Sequence, residues 1–136
     1  MMVRRRIASR LLGRLGEWRA AWFYRLHGYR IIGRNIRLRG GEIDLVARRG
    51  RMLVIVEVKT RQTLAAGEGH VAVDGAKRSR LIRLADQYLA RSRPETAELR
   101  YDILSLFWNG WWFDVAHYPD AFRPVADPAR PWEWRA

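Results

Sequence analysis

Three side chains in the first half of the chain have the types and spacing to do chemistry together: Asp44, Glu57 and Lys59. Two carboxylates, with water and phosphate oxygens, suit a hard cation such as Mg²⁺ or Mn²⁺. A lysine beside them can position a water or neutralise charge developing on phosphorus. Glu57 and Lys59 close the run M-L-V-I-V-E-V-K-T, residues 52–60, which is apolar on both faces until Glu57. A strand of that composition is covered on both faces. Charges at its end need a partner or a metal, because unpaired charge is costly to bury. An isolated E-x-K reads most simply as a structural ion pair. Asp44 adds a second carboxylate and opens the metal-site reading beside that one.

The elements that must position these groups follow from side-chain alternation. Glu57 and Lys59 point to one face of their strand, Val56 and Val58 to the other. The stretch 41–61 reads as two strands joined by a turn centred on Arg49-Gly50. Folded there, the hairpin sets Asp44 opposite Ile55 and diagonal to Glu57, with Glu42 opposite Glu57. A slip of one residue would send Asp44 to the other face.

Charge narrows the class of partner. The 136 residues carry a net charge of +12, and the excess is uneven. Residues 1–61 hold sixteen Lys+Arg against four acids, whereas residues 62–136 hold ten of each. So basic a half-molecule points to a polyanion, nucleic acid before an anionic membrane, with a merely solvated surface as the plain alternative. The four acids are Glu17, Glu42, Asp44 and Glu57, three of them in the hairpin. Lysine occurs twice against twenty-four arginines, at Lys59 and Lys77. A compact ammonium fits beside a metal and a phosphate where a guanidinium does not. The length suits one domain, and the absence of cysteine rules out disulfides and thiolate metal sites.

Asp44, twelve intervening residues, then Glu57-Val58-Lys59 resembles the D…E-x-K core of the PD-(D/E)XK nuclease superfamily. The flanking text, G-E-I-D-L-V-A and V-I-V-E-V-K-T-R, is more closely similar to the YraN-like family of predicted bacterial endonucleases. The resemblance covers roughly residues 16–106. One departure from the superfamily pattern is Ile43, which precedes Asp44 in place of proline. The resemblance implies a restriction-endonuclease-like core, an α/β fold with a mixed sheet flanked by helices in the order α-β-β-β-α-β-β. It also implies a metal-dependent endonuclease acting on DNA. Asp44, Glu57 and the Val58 carbonyl would hold Mg²⁺ or Mn²⁺, and Lys59 would orient or help deprotonate the attacking water. G-E-x-x-A-A-x-F, at residues 16–23, then Gly28-Tyr29, matches the family's first helix, in which a glutamate faces the metal. Here that is Glu17, whose bland reading is a helix-surface pair with Arg14 or Arg10.

The remaining chain supplies the frame. Ile7, Leu11, Leu15, Trp18 and Trp22 form the stripe of an amphipathic helix running to about Leu26, which should pack on the sheet and end at Gly28. A membrane-surface helix is the alternative. Arg10 and Arg14 interrupt any signal-peptide core, so the expected location is cytoplasmic, with no membrane partner. Residues 29–39 read as a first strand with arginines outward and Asn35 at a bend. Residues 62–73 read as a loop beside the site, with Arg61 and His70 candidates to touch phosphate. A second helix over 76–92 collects Lys77, Arg78, Arg80 and Arg83 near its start, where the helix dipole disfavours cations. That placement suggests phosphate contacts by Lys77, Arg78 and Arg80. Residues 99–107 and 111–118 read as strands joined at Asn109-Gly110. Asp102 reads as structural. Trp108, Trp111 and Trp112 fit core or dimer packing better than base stacking, which leaves a homodimer open. Residues 1–118 form the nuclease-like domain and 119–136 a Pro/Trp-containing tail. The rival function is a nuclease-like module that binds nucleic acid without cutting it.

Overall fold

The computed structural model describes residues 7–62, 75–95, 98–123, 125–127 and 130–135, the last two segments by backbone path alone. The elements run α1 (Ser9–Leu26), β1 (Arg30–Leu38), β2 (Gly41–Arg49), β3 (Met52–Arg61), α2 (Gly75–Ser92), β4 (Glu98–Trp108) and β5 (Phe113–Phe122). They form one mixed sheet in the order β1-β2-β3-β4-β5, antiparallel throughout except for the parallel pair β3–β4. This is the expected α/β fold in the expected order. A short antiparallel ladder, β6 (Val125–Asp127) with β7 (Arg130–Arg135), follows it. The side chains of Trp132 and Trp134 lie outside the described residues.

The apolar run in β3 is explained by its place at the centre of the sheet. Its side chains alternate between two cores. Val54 and Val56 join Leu45, Ala47, Leu104 and Leu106 beneath α1. Leu53 and Ile55 join Val46, Tyr101, Ile103 and the Leu81, Ile82, Leu84 and Ala85 face of α2. The parallel register, from Met52–Glu98 to Arg61–Phe107, requires a crossover, and α2 lies on it. No helix among the described residues is long and apolar enough to cross a membrane.

The first helix packs by only part of its large apolar stripe, with Ile7 and Leu15 partly buried against the core. Leu11, Trp18 and Trp22 are exposed, and the face turned inward is Leu12, Gly16, Ala20, Ala21 and Tyr24. The physical reason is close approach. A Cβ at Gly16 would collide with the branched side chain of Thr60, so only a smooth helix face comes this near β3. The helix then ends as expected at Gly28, in the left-handed region at φ +84. The Tyr29 amide donates to the Tyr24 carbonyl and the Gly28 amide to the Arg25 carbonyl. That is the Schellman pattern, with the Tyr24 and Tyr29 rings edge to face across it.

Tyr24 also anchors the helix through a buried polar network. Its hydroxyl donates to Asp102 at 2.8 Å. Asp102, fully buried on β4, also receives Arg100 Nε at 2.7 Å and Nη2 at 2.8 Å, and the Asp120 amide at 3.0 Å. His117 Nε2 lies 2.9 Å away. Burial pushes the Asp102 carboxyl up, but the bonds from Arg100, His117, Asp120 and Tyr24 outweigh it and hold it below the usual carboxylate range. The strand β5 begins two residues later than expected and runs to Phe122, beyond residue 118. Asn109 Oδ1 caps its approach by accepting from the Trp111 and Trp112 amides.

Asp102→Asn leaves several donors competing for one acceptor, so it should destabilise the protein by about 3 kcal/mol or more in urea unfolding at neutral pH. Because the folded carboxyl titrates low, the wild type's advantage is complete above the ordinary carboxylate range. It is lost as pH falls through the folded value. A difference that stayed constant into acid would contradict this account.

Candidate active site

The site forms where β2 parts from β3. Their pairing runs from Arg49–Met52 to Leu45–Val56 and stops there. The loop is therefore residues 50 and 51, not Arg49-Gly50, and the register differs by two residues from the expected one. The shift is even, so the paired residues keep their expected facing, with Leu45 and Val56 both toward α1. One step beyond the last pair, the Asp44 carboxylate takes over the pairing role: its Oδ2 accepts the Val58 amide at 2.9 Å. A residue's N–H and C=O leave a strand on the same side. The Val58 carbonyl therefore faces the gap that β2 vacates.

Glu57 and Lys59 share the other face of β3, as their spacing predicts. They lie 3.8 Å apart, Nζ to Oε1, and both are only about a fifth exposed. Glu42, expected opposite Glu57, instead pairs across β1 with Arg37 at 3.8 Å. With Glu57 it lines a small crevice under the start of α2, together with Lys77, Arg80, Leu81 and Leu84. Glu17 reaches the same neighbourhood from α1. It is half-buried, and its Oε2 accepts the Asn35 side-chain amide at 3.0 Å. Asn35 holds φ +49 within β1, a bend that Asn tolerates better than most residues.

Electrostatics mark Asp44 as the strained member. Burial, then the Glu57 charge, push its carboxyl up to about 7, with Glu17 and Glu42 adding to the rise and the Val58 amide opposing it. Lys59 is pushed down by burial and then by Lys77, while Glu57 and Asp44 act the other way. The chain's two lysines thus meet at this site. Their scarcity was the sequence signal for that meeting. Asn35 as the partner of Glu17 had no signal beyond its place at a bend.

The donors present can be tested against a divalent metal. Among the described residues, no three acidic or histidine side chains form a ready-made metal cage. Mg²⁺, however, takes one or two carboxylates and keeps water or phosphate oxygens for the rest. Asp44, Glu57 and the Val58 carbonyl fit that type. The raised Asp44 carboxyl, pushed up first by burial and then by Glu57, is compatible with that donor set, since a nearby cation would favour its charged form.

The expected phosphate-binding groups divide. Arg61 ends β3 two residues beyond Lys59. Lys77 and Arg80 line the crevice with Glu57. Arg78 lies elsewhere, in a cleft with His117, Tyr118 and Phe122. His70 and the rest of residues 63–74 lie outside the described residues.

The sequence model of the uncharacterised protein family UPF0102 matches residues 16–106. A UPF0102 protein of Syntrophotalea carbinolica is 43% identical over 111 residues, covering 82% of this chain and 90% of its own. One from Symbiobacterium thermophilum is 50% identical over 98 residues, covering 72% and 83%. One from Geobacter metallireducens is 40% identical over 114 residues, covering 84% and 93%.

Two outcomes follow from the geometry. A carboxyl whose folded value is raised favours folding fully below its ordinary range and loses that contribution as pH rises toward about 7. Asp44→Asn should therefore melt higher than the wild type in EDTA at pH 8, by about 1–2 kcal/mol of stability, with the gap closing near pH 4. A variant that melts lower at pH 8 would mean that the carboxylate is stabilising as it stands. Gly16→Ala should lower stability by about 1–3 kcal/mol through the clash with Thr60, read as a fall in urea midpoint.

Proposed function

The chain belongs to the uncharacterised protein family UPF0102, the YraN-like family, and from that premise we propose that it is a metal-dependent nuclease hydrolysing phosphodiester bonds in DNA. One observation carries the reading. Asp44 is held beside Glu57 in a crowded acidic cluster, with a lysine against it, in the half of the chain that carries the whole positive excess. Carboxylates near a phosphate repel it unless a cation intervenes. Their retention in so basic a region favours catalysis over binding alone.

In this reading Asp44, Glu57 and the Val58 carbonyl hold Mg²⁺ or Mn²⁺, which when bound supplies Lewis acidity toward a phosphate oxygen and lowers the pKa of water. The Val58 amide holds one oxygen of the Asp44 carboxylate, Oδ2, and leaves Oδ1 as the one to meet the metal. Lys59, partly buried and paired with Glu57, orients the attacking water and takes part in its deprotonation. Glu17, steadied by Asn35, supports the far side of the acidic cluster. Lys77, Arg80 and Arg61 border the site and offer the scissile phosphate and its neighbours cationic partners.

The second reading, a module that binds nucleic acid without cutting it, draws equally on the positive excess of residues 1–61. Labelled linear, flapped and four-way-junction DNA, incubated with Mn²⁺, Mg²⁺ or EDTA, separates the two. Asp44→Asn and Lys59→Ala should each lower metal-dependent cutting by about 10²-fold or more while binding persists. Salt-sensitive binding with no cutting of any substrate by the wild type would leave the binding module as the function.

A further inference from the structure

The outer face of α1 is used by neither the core nor the candidate site. Trp18 and Trp22 are 45% and 42% exposed, and Trp112, in the loop before β5, is 50% exposed. The three form a chain. Trp18 meets Trp22 at 6.4 Å and 67° and Trp112 at 6.2 Å and 86°, edge to face in both cases. Each edge-to-face contact uses the edge of one ring and one face of the other, so the ridge keeps ring surface that a mutual stack would cover. The Arg25 guanidinium sits 5.4 Å from the Trp22 ring centre, and Arg10 and Arg14 are exposed on the same helix. Trp18 directly follows Glu17, which contributes to the field at Asp44. The aromatic ridge therefore begins one residue from the edge of the candidate site.

We propose that Trp18, Trp22 and Trp112 are a stacking platform for unpaired bases of a single-stranded nucleic-acid segment entering or leaving the site, with Arg14 and Arg25 meeting its phosphates. The proposal rests on the nuclease reading for the direction of the strand. The chemistry is that of single-strand recognition, aromatic faces interleaved with arginine. A symmetric dimer fits less well, because through this ridge it would bring Arg10, Arg14 and Arg25 of both copies together, like charge against like. An anionic lipid surface shares the phosphate chemistry, and the vesicle arm of the test separates it.

The test compares a short labelled oligothymidylate with a blunt duplex by fluorescence anisotropy, in EDTA so that nothing is cut. Trp18→Leu with Trp22→Leu keeps an apolar surface but removes the rings. Trp18→Phe with Trp22→Phe keeps rings. The leucine pair should weaken single-strand binding about tenfold or more, while duplex binding changes less than about threefold. The phenylalanine pair should stay within about threefold of wild type. Both variants place their changes at exposed positions, and their melting curves check folding. Single-strand binding unchanged in the leucine pair would overturn the platform. So would wild-type binding to phosphatidylserine vesicles, or wild-type dimerisation by sedimentation, that the leucine pair alters while oligothymidylate binding stays level. An inactive protein with a working platform and an active one without it give opposite results in this assay and the cutting assay. The two readings therefore fail separately.

Discussion

A backbone amide that has lost its strand partner sets the terms for the rest of the molecule. Val58 lies in the central strand, but β2 no longer runs alongside it. A half-buried amide needs an acceptor, and the Asp44 carboxylate is that acceptor. The bond fixes one oxygen of Asp44 and brings the whole group into the field of Glu57, Glu17 and Glu42. Structural need and chemical potential thus fall on one residue. The sheet is completed there by a group whose ordinary state is charged, and its neighbours make that state costly.

The two helices serve this fork from opposite faces. From below, α2 brings Lys77 and Arg80 to the crevice that Glu57 and Glu42 share. From above, α1 brings Glu17, and it can do so because its inward face is nearly free of bulk. Gly16 settles against Thr60, next in sequence to Lys59. At the far end Tyr24 is tied into the Asp102 network, which also gathers Arg100, His117 and the Asp120 amide. Helix position is therefore set at two points, one steric and one polar, with Glu17 near the first.

Much of this was legible in the sequence, and the exceptions have physical causes. The order of elements, the central position of β3 and the facing of Glu57 and Lys59 follow from alternation and composition. The hairpin register did not, because residues 49–51 are Arg-Gly-Arg and permit two turn centres. The facing of the paired residues survived the error only because the slip was even. Helix α1 misled for a different reason. Its periodic stripe of leucine and tryptophan is real, but hydrophobicity alone does not say which face lies close to a sheet. Gly16, Ala20 and Ala21 carried that information through size. The Asp102 network was invisible beyond the single residue, since its partners come from α1, β4 and β5. The meeting of Lys59 with Lys77 was foreshadowed only by the rarity of lysine.

The parallel pairing of β3 with β4 also fixes an order of assembly. Every pair between them, from Met52–Glu98 to Arg61–Phe107, joins residues far apart in the chain. The Asp44–Val58 bond closes over only fourteen residues. Loop closure favours near contacts over distant ones. The acidic fork therefore belongs to the early, local part of the fold, the β1–β3 meander. Tyr24 must wait for Asp102 to arrive with β4 and β5. The Asp44–Val58 bond is thus local in the chain, and the tie of Tyr24 to Asp102 is long-range.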